Sequence, residues 1–279
     1  MRATVRSQVL TTAVLFVVAI YVLLPIWWLV VSATKSGGDL FDTPGLWFGG
    51  HLGLGDNLDR LMSQDNGLYP RWLLNTLVYA GGGALGATLL AAMAGYGLAK
   101  YPFRGRGAVF AVIMVAVLIP TPLLTLPLYL LLSEIGLLNS MWGMLLPCMV
   151  SPFGVFLARA YAEAAIPDEL LEAGRIDGAG EVRIFSTVAI RLMAPALVTL
   201  FLFQFVAIWN NFFLPMMVLN DQSLWPITLG LAKWNGIRTG FLRDAVVTGS
   251  LISIIPVILA FVVLQRFWKA DLAAGSVKL

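Results

Sequence analysis

Charged and reactive side chains are what this sequence has least of. Of 279 residues, 18 are Lys or Arg and 15 Asp or Glu, with one histidine and one cysteine. Cys148 can form no intramolecular disulfide and has no companions for a metal site, so it reads as a small core hydrophobe. His51, within "FGGHLGLG", reads as a solvated loop side chain. No Gly-Lys dipeptide occurs, which excludes a phosphate loop of the G-x-x-x-x-G-K-[ST] kind, so any nucleotide that drives this protein is bound by another chain. The net charge of +3 is spread over many short loops, which excludes a basic surface for nucleic acid.

What is present is apolar. At 59% hydrophobic residues and a mean hydropathy of +0.86, the chain has too little polar surface to coat a soluble globule of its size. Runs of about 20 apolar residues match the roughly 30 Å hydrocarbon layer at 1.5 Å per residue. Six such runs occur, at 9–33, 72–99, 108–132, 141–157, 192–218 and 245–264, and none contains Asp, Glu, Lys, Arg or His. The first is far longer than the 7–15 residues of a signal-peptide core. The expected fold is therefore all-α, a single integral membrane domain of six transmembrane helices over residues 1–279. Pro120, Pro122 and Pro127 predict a kinked third span and Pro256 a bent sixth. "GGGALGA" in the second, with Gly82 and Gly86 four apart, predicts close helix packing within or between subunits.

Positive charge sets the orientation. With both termini cytoplasmic, the inner loops hold Arg2, Arg6, Lys100, Arg104, Arg106, Arg159, Arg175, Arg183, Arg191, Arg266, Lys269 and Lys278, leaving six cations outside. Residues 37–71 and 221–244 then face outward. The inner side also receives the one strongly charged stretch, "PDELLEAGRIDGAGEVRIF" (167–185). Pro167, Asp168 and Glu169 suit a helix start, and Gly178 a stop. A second helix from Glu181 to Arg191 leads into the fifth span. Leu170, Ala173, Gly174 and Asp177 share one side of the first helix, a small-residue patch that a partner backbone could approach. An amphipathic helix lying on headgroups is the competing reading of the local pattern. The polar face, however, is dominated by Asp168, Glu169, Glu172, Asp177 and Glu181, which would repel anionic lipid.

"EAGRIDGAGEVRIFSTVAI" closely resembles the cytoplasmic E-A-A-x-x-D-G-A signature of ATP-binding-cassette importer permeases, through Glu172, Ala173, Gly174, Asp177, Gly178 and Ala179, with Phe185 and Val188 following. "LLNTLVYA", "GYGLAKYPFRGR", "LPLYLLLSEIGLLNSMWGMLLP", "WNNFFLPMMVL" and the terminal "GSVKL" resemble the carbohydrate-uptake branch, specifically the maltose-type second permease. The resemblance implies a binding-protein-dependent importer of a carbohydrate (an oligosaccharide, a disaccharide, or a related polyol or sugar-phosphate) in a bacterial or archaeal cytoplasmic membrane. It would contain a second homologous permease, two cytoplasmic ATPase subunits and an extracytoplasmic solute-binding protein. ATP and Mg belong on the ATPase, and no cofactor, metal or catalysis is expected on this chain. It further implies that residues 167–191 are the coupling segment. Glu172 would contact the ATPase, Gly178 would form the joint, and Leu170, Ile176 and Phe185 would seat the two helices. Two positions depart from the pattern: Gly174 stands where Ala is usual, and Arg191 where proline is usual.

Solute-path candidates lie in the fifth span. Gln204 falls about 18 Å from its inner end, near mid-membrane, and Asn211 returns to the same helical face seven residues later. Pro215 cannot donate to the Asn211 carbonyl, a break suited to lining a cavity. Phe201, Phe205, Trp209 and Phe212 offer flat faces for sugar rings. The candidates are Gln204, Trp209, Asn210 and Asn211, with helix packing the alternative role for each. In the last outer loop, Trp225 and Trp234 are either part of a contact with the binding protein, as the resemblance implies, or interfacial anchors. A secondary carrier would place ionisable relays inside spans, and none is found there. A non-transporting scaffold shares the topology but gives no reason for the polar groups in span five.

Overall fold

The computed structural model describes residues 5–237 and 242–267, so Arg2, Lys269, Lys278 and the "GSVKL" stretch lie outside the described residues. Among these the chain is mostly helical, with no strand. In order come α1 (Val5–Ala33), the short α2 (Asp39–Asp42), α3 (Leu54–Ser63), α4 (Leu68–Lys100), α5 (Arg106–Val117), α6 (Thr125–Glu134), α7 (Met141–Cys148) and α8 (Pro152–Ala165). They are followed by α9 (Asp168–Ile176), α10 (Glu181–Ile184), α11 (Ile190–Trp209), α12 (Phe213–Val218), α13 (Ile227–Asn235) and α14 (Arg243–Leu264). Five stretches are long and apolar enough to cross a membrane, and six if α5 and α6 together form one bent span.

The third span departs from the sequence expectation. α5 has 12 residues, about 18 Å at 1.5 Å per residue, which is short of the hydrocarbon thickness. Beyond it the chain turns by 102° at Val117–Thr121. Pro120 and Pro122 cannot donate to a helical ladder, and residues 121–124 form a 3₁₀ turn instead. The run is a sharp break and not a kink. The fourth span is also interrupted. Ser140 caps α7 by accepting the Gly143 amide at 3.0 Å, and Ser151 caps α8 by accepting the Gly154 amide, also at 3.0 Å. α8, with Pro152 in its first turn, continues to Ala165, past the expected end at 157, and carries Arg159 and Glu163.

Contacts among the described residues gather into two compact units, one within residues 1–70 and 230–255 and the other within residues 71–229 and 256–279. In the first, Arg60 pairs with the buried Asp244 at 2.5 Å. Asn57 donates to the carbonyls of Ala33 and Lys35, each at 2.9 Å, and the buried Lys35 ammonium donates to Pro44 O at 2.7 Å. Trp234 is buried and donates to Asp65 at 2.8 Å. It is thus a core residue of this unit and not an interfacial anchor.

The second unit has two cores. One gathers Tyr79, Met144, Cys148, Phe205, Trp209 and Leu214, and the other Tyr96, Ala158, Ala162, Leu171, Ile184 and Met193. The glycines of α4 make close approach possible within the chain. A Cβ at Gly86 would lie 2.6 Å from Met149, and one at Gly95 would lie 2.6 Å from Ala158. In the same unit, α4 fastens the segment after α12. Trp72, Asn75 and Tyr79 donate to the carbonyls of Gln222, Ser223 and Leu224 at 2.7, 2.7 and 2.9 Å. Trp225 stacks on Trp72 at 6.3 Å.

Candidate functional site

The charged insert folds as two helices around a glycine joint. α9 starts after Pro167, whose backbone is extended, and carries Asp168 and Glu169 in its first turn. It ends in a Schellman turn, in which the Ala179 amide reaches Gly174 O and the Gly178 amide reaches Arg175 O, both at 3.0 Å, with Gly178 at φ +79°. A left-handed residue closes such a turn, which is why glycine serves there. The second helix does not stop at Arg191. α10 runs through a π-helical turn at Phe185–Ala189 into α11, so that residues 181–209 form one continuous helix.

The surface of α9 divides sharply. Leu171 is buried, as is Ile184 of α10. Leu170, Glu172, Ala173, Ile176, Asp177 and Gly178 are exposed. Gly174, Ala179 and Phe185 are half-buried. A Cβ at Gly174 would meet Ile184 at 3.3 Å, and Ala179 and Phe185 pack on the second core. The ring of Phe185 lies 5.3 Å from that of Tyr96. The small residue at 174 therefore lets the two helices of the insert close on each other, and the exposed face of α9 carries Leu170, Glu172, Ala173 and Asp177. Among the described residues, no atom beyond the chain neighbours lies within 4 Å of a Cβ built at Gly178, so a side chain there meets strained backbone and not the returning helix.

The acids divide likewise. Asp168 pairs with Lys100 at 2.7 Å, and Glu181 accepts from Arg175 at 2.7 Å and from the Tyr101 hydroxyl. Burial first, and then this hydrogen bond to Glu181, hold the Tyr101 phenol protonated well above its usual range. Glu169, Glu172 and Asp177 make no ion pair among the described residues.

A cavity of about 490 Å³ opens where three helix breaks meet: between α5 and α6, between α7 and α8, and between α11 and α12. Gln204, Asn210 and Asn211 line it, together with Ser151, Thr121, Thr125, Phe153, Phe212 and Phe213. Gln204 donates to Ser151 Oγ at 2.6 Å, which ties α11 to the cap of α8. The freed carbonyl of Asn211 accepts from Thr228 Oγ1 at 2.9 Å. Trp209 is not on the wall. Its ring lies 5.5 Å from that of Phe205, tilted by 31°, and both rings are buried in the first core. α11 ends at Trp209, so its indole stays on the packed side while the next two residues turn toward the cavity. Sequence reading missed Ser151 and the Thr121–Thr125 wall. The "SPFG" cap and the "PTP" stretch were the available signals, since each marks a break in an apolar run.

A helical membrane protein with a charged two-helix insert and a cavity at its helix breaks is a transport permease by architecture. The chain belongs to the binding-protein-dependent transport system inner membrane component family, whose model matches residues 84–270. It is 31% identical, over 97% of its length and 96% of the relative's, to the arabinooligosaccharides transport system permease protein AraQ of Bacillus subtilis strain 168. It is 28% identical to the diacetylchitobiose uptake system permease protein NgcG of Streptomyces coelicolor, over 97% of this chain and 89% of that one. Among solved structures, a chain of a bacterial ABC transporter involved in the import of the acidic polysaccharide alginate matches with a TM-score of 0.80 and 26% identity, covering 93% of this chain and 95% of that one.

Proposed function

We propose that this chain is a permease subunit of an ATP-driven, binding-protein-dependent carbohydrate importer, with both termini cytoplasmic. It pairs with a second homologous permease and couples through residues 167–191 to two ATPase subunits that bind ATP and Mg. It receives solute from an extracytoplasmic binding protein, and the chain itself carries out no chemistry. The observation that carries this reading is the unbroken helix from Glu181 to Trp209. One end belongs to the charged insert and the other meets the cavity at Gln204. Gln204 lies 23 positions beyond Glu181, about 35 Å at 1.5 Å per residue, so displacement of the insert is delivered mechanically to the cavity wall.

Among the described residues, none that lines the cavity is charged. Its polar groups are hydroxyls and amides, which both donate and accept, with phenyl faces beside them, a set suited to sugar hydroxyls and ring faces. An anion stripped of water there meets no countercharge from this subunit, a cost of several kcal/mol. The chemistry of this wall favours an uncharged oligosaccharide over an anionic one. The names of the relatives, an arabinooligosaccharide and a diacetylchitobiose permease, support that class.

The test is reconstitution of the complete complex in liposomes, with uptake of a panel of labelled neutral oligosaccharides and their uronate counterparts. ATP-dependent uptake of a neutral member supports the reading. Uptake by the isolated chain down an ion gradient, without ATPase, would overturn it.

A further inference from the structure

Lys100 and Tyr101, in the stretch "GLAKYPFRGR", do more than mark the inner side of the membrane. Lys100 is the last residue of α4, and its side chain is only 7% exposed. Its ammonium donates to the carbonyl of Ile166 at 2.6 Å and to Asp168 at 2.7 Å, gripping the insert where α9 begins. Asp168 is 75% exposed, so the ion pair alone is weak. The bond to the carbonyl of the buried Ile166 is shielded from water and gives the contact its direction. Next along the chain, Tyr101 donates to Glu181, the carboxylate that also accepts from Arg175 of α9. Tyr101 thereby holds the residue that ties the two helices of the insert together. A third contact is aromatic: the ring of Tyr96 lies 5.6 Å from that of Tyr101 and 5.3 Å from that of Phe185.

These contacts fall at the start of the insert, at its joint and at the π-helical turn that follows. A body held at one point can pivot, whereas a body held at three separated points moves with what holds it. We propose that Lys100 and Tyr101 are positioning residues that clamp the coupling segment to the end of α4, so that the two move as one body. The stroke of the ATPase then enters the bundle through α4 as well as through α8 and α11, to which the insert is covalently joined. The proposal rests on the coupling role given above to residues 167–191. It adds to that role a route by which motion leaves the segment.

The test uses the assembled importer in liposomes with its binding protein and compares Lys100→Met, Tyr101→Phe, the double variant and Lys100→Arg. Three quantities are read: ATPase subunits co-purified, ATP hydrolysed, and solute taken up per ATP. The double variant is expected to retain its ATPase subunits and to hydrolyse ATP, while uptake per ATP falls at least about fivefold, the lower end of coupling between linked sites. Each single variant should fall less, and Lys100→Arg should stay closer to wild type than Lys100→Met. Unchanged uptake per ATP in an intact double variant overturns the clamp.

A second arm covers poor assembly of the double variant. Lys100→Cys with Asp168→Cys, in a Cys148→Ser background, is joined by a reducible bifunctional thiol reagent. Bridging is expected to raise uptake per ATP and reduction to lower it again. Bridging that blocks uptake means the segment must move relative to α4, and sinks the proposal. If Glu172→Lys leaves ATPase association intact, the docking reading fails, a result obtained without touching either clamp residue.

Discussion

The hydroxyl of Thr228 donates to the main-chain carbonyl of Asn211 at 2.9 Å, the carbonyl that Pro215, four residues on, has no amide to serve. A break that leaves a polar group bare inside a membrane protein costs several kcal/mol. Here a hydroxyl from a residue 17 positions later supplies the missing donor, and the α11–α12 break persists as part of the cavity wall. Thr228→Val keeps the shape and removes the donor. It should lower the stability of the purified complex by about 1–3 kcal/mol, read as a drop in thermal unfolding temperature, whereas Thr228→Ser should stay near wild type.

Gln204 and Trp209 lie on one helix but should respond differently to substitution. Gln204→Leu and Asn211→Leu remove polar groups from the cavity wall, and each lost hydrogen bond is worth about 0.5–1.5 kcal/mol. Uptake should fall several-fold with the amount of assembled complex unchanged. Trp209→Ala empties a buried site packed on Phe205 and should cost about 3–5 kcal/mol, seen as loss of protein from the membrane. Normal transport by both leucine variants would leave the amides with a packing role only.

On the insert, Glu172→Lys places a cation on an exposed acidic face. Against a socket built for a carboxylate it should cost about several kcal/mol and weaken ATPase co-purification. A helix lying on headgroups would instead bind anionic lipid more tightly and leave uptake alone.

Gly178→Leu acts through the backbone. At φ +79° a side chain costs roughly 1–2 kcal/mol, and among the described residues nothing beyond the chain neighbours lies within 4 Å of the added Cβ. The variant should insert at normal abundance with the Schellman turn loosened, and uptake should fall while membrane content does not. Gly178→Asn, which tolerates the left-handed conformation better, should recover part of the loss.

Topology can be checked by labelling. Single cysteines at Arg104 and Gln222, in a Cys148→Ser background, should differ toward an impermeant thiol reagent on intact cells, with Gln222→Cys labelled and Arg104→Cys protected. Equal labelling would overturn the orientation drawn from positive charge.

Features set within a turn or two of the chain were legible in the sequence. Apolar run length marked the membrane helices, Pro167 and Gly178 bounded α9, and Pro215 freed the Asn211 carbonyl. In each case the cause lies in a missing amide, a backbone angle or the hydropathy of neighbouring residues. The angle at Pro120–Pro122 was not legible. Proline dictates that the helical ladder fails, but packing directs the chain after the failure, and here it turned 102°.

Which face of a helix is buried was decided only by the tertiary structure. Leu170 and Leu171 are chemically identical neighbours, yet Leu171 fills the second core and Leu170 is left exposed. Trp209 is buried while Asn210 beside it lines the cavity. The serine that caps α8 became a cavity residue because Gln204, 53 positions away, reaches it. The grip of Lys100 on Asp168 joins residues 68 apart. Hydropathy and backbone geometry act between neighbours and so are written in order along the chain. Burial and side-chain pairing act between whatever residues the fold brings together, and these contacts exist only once the helices have packed.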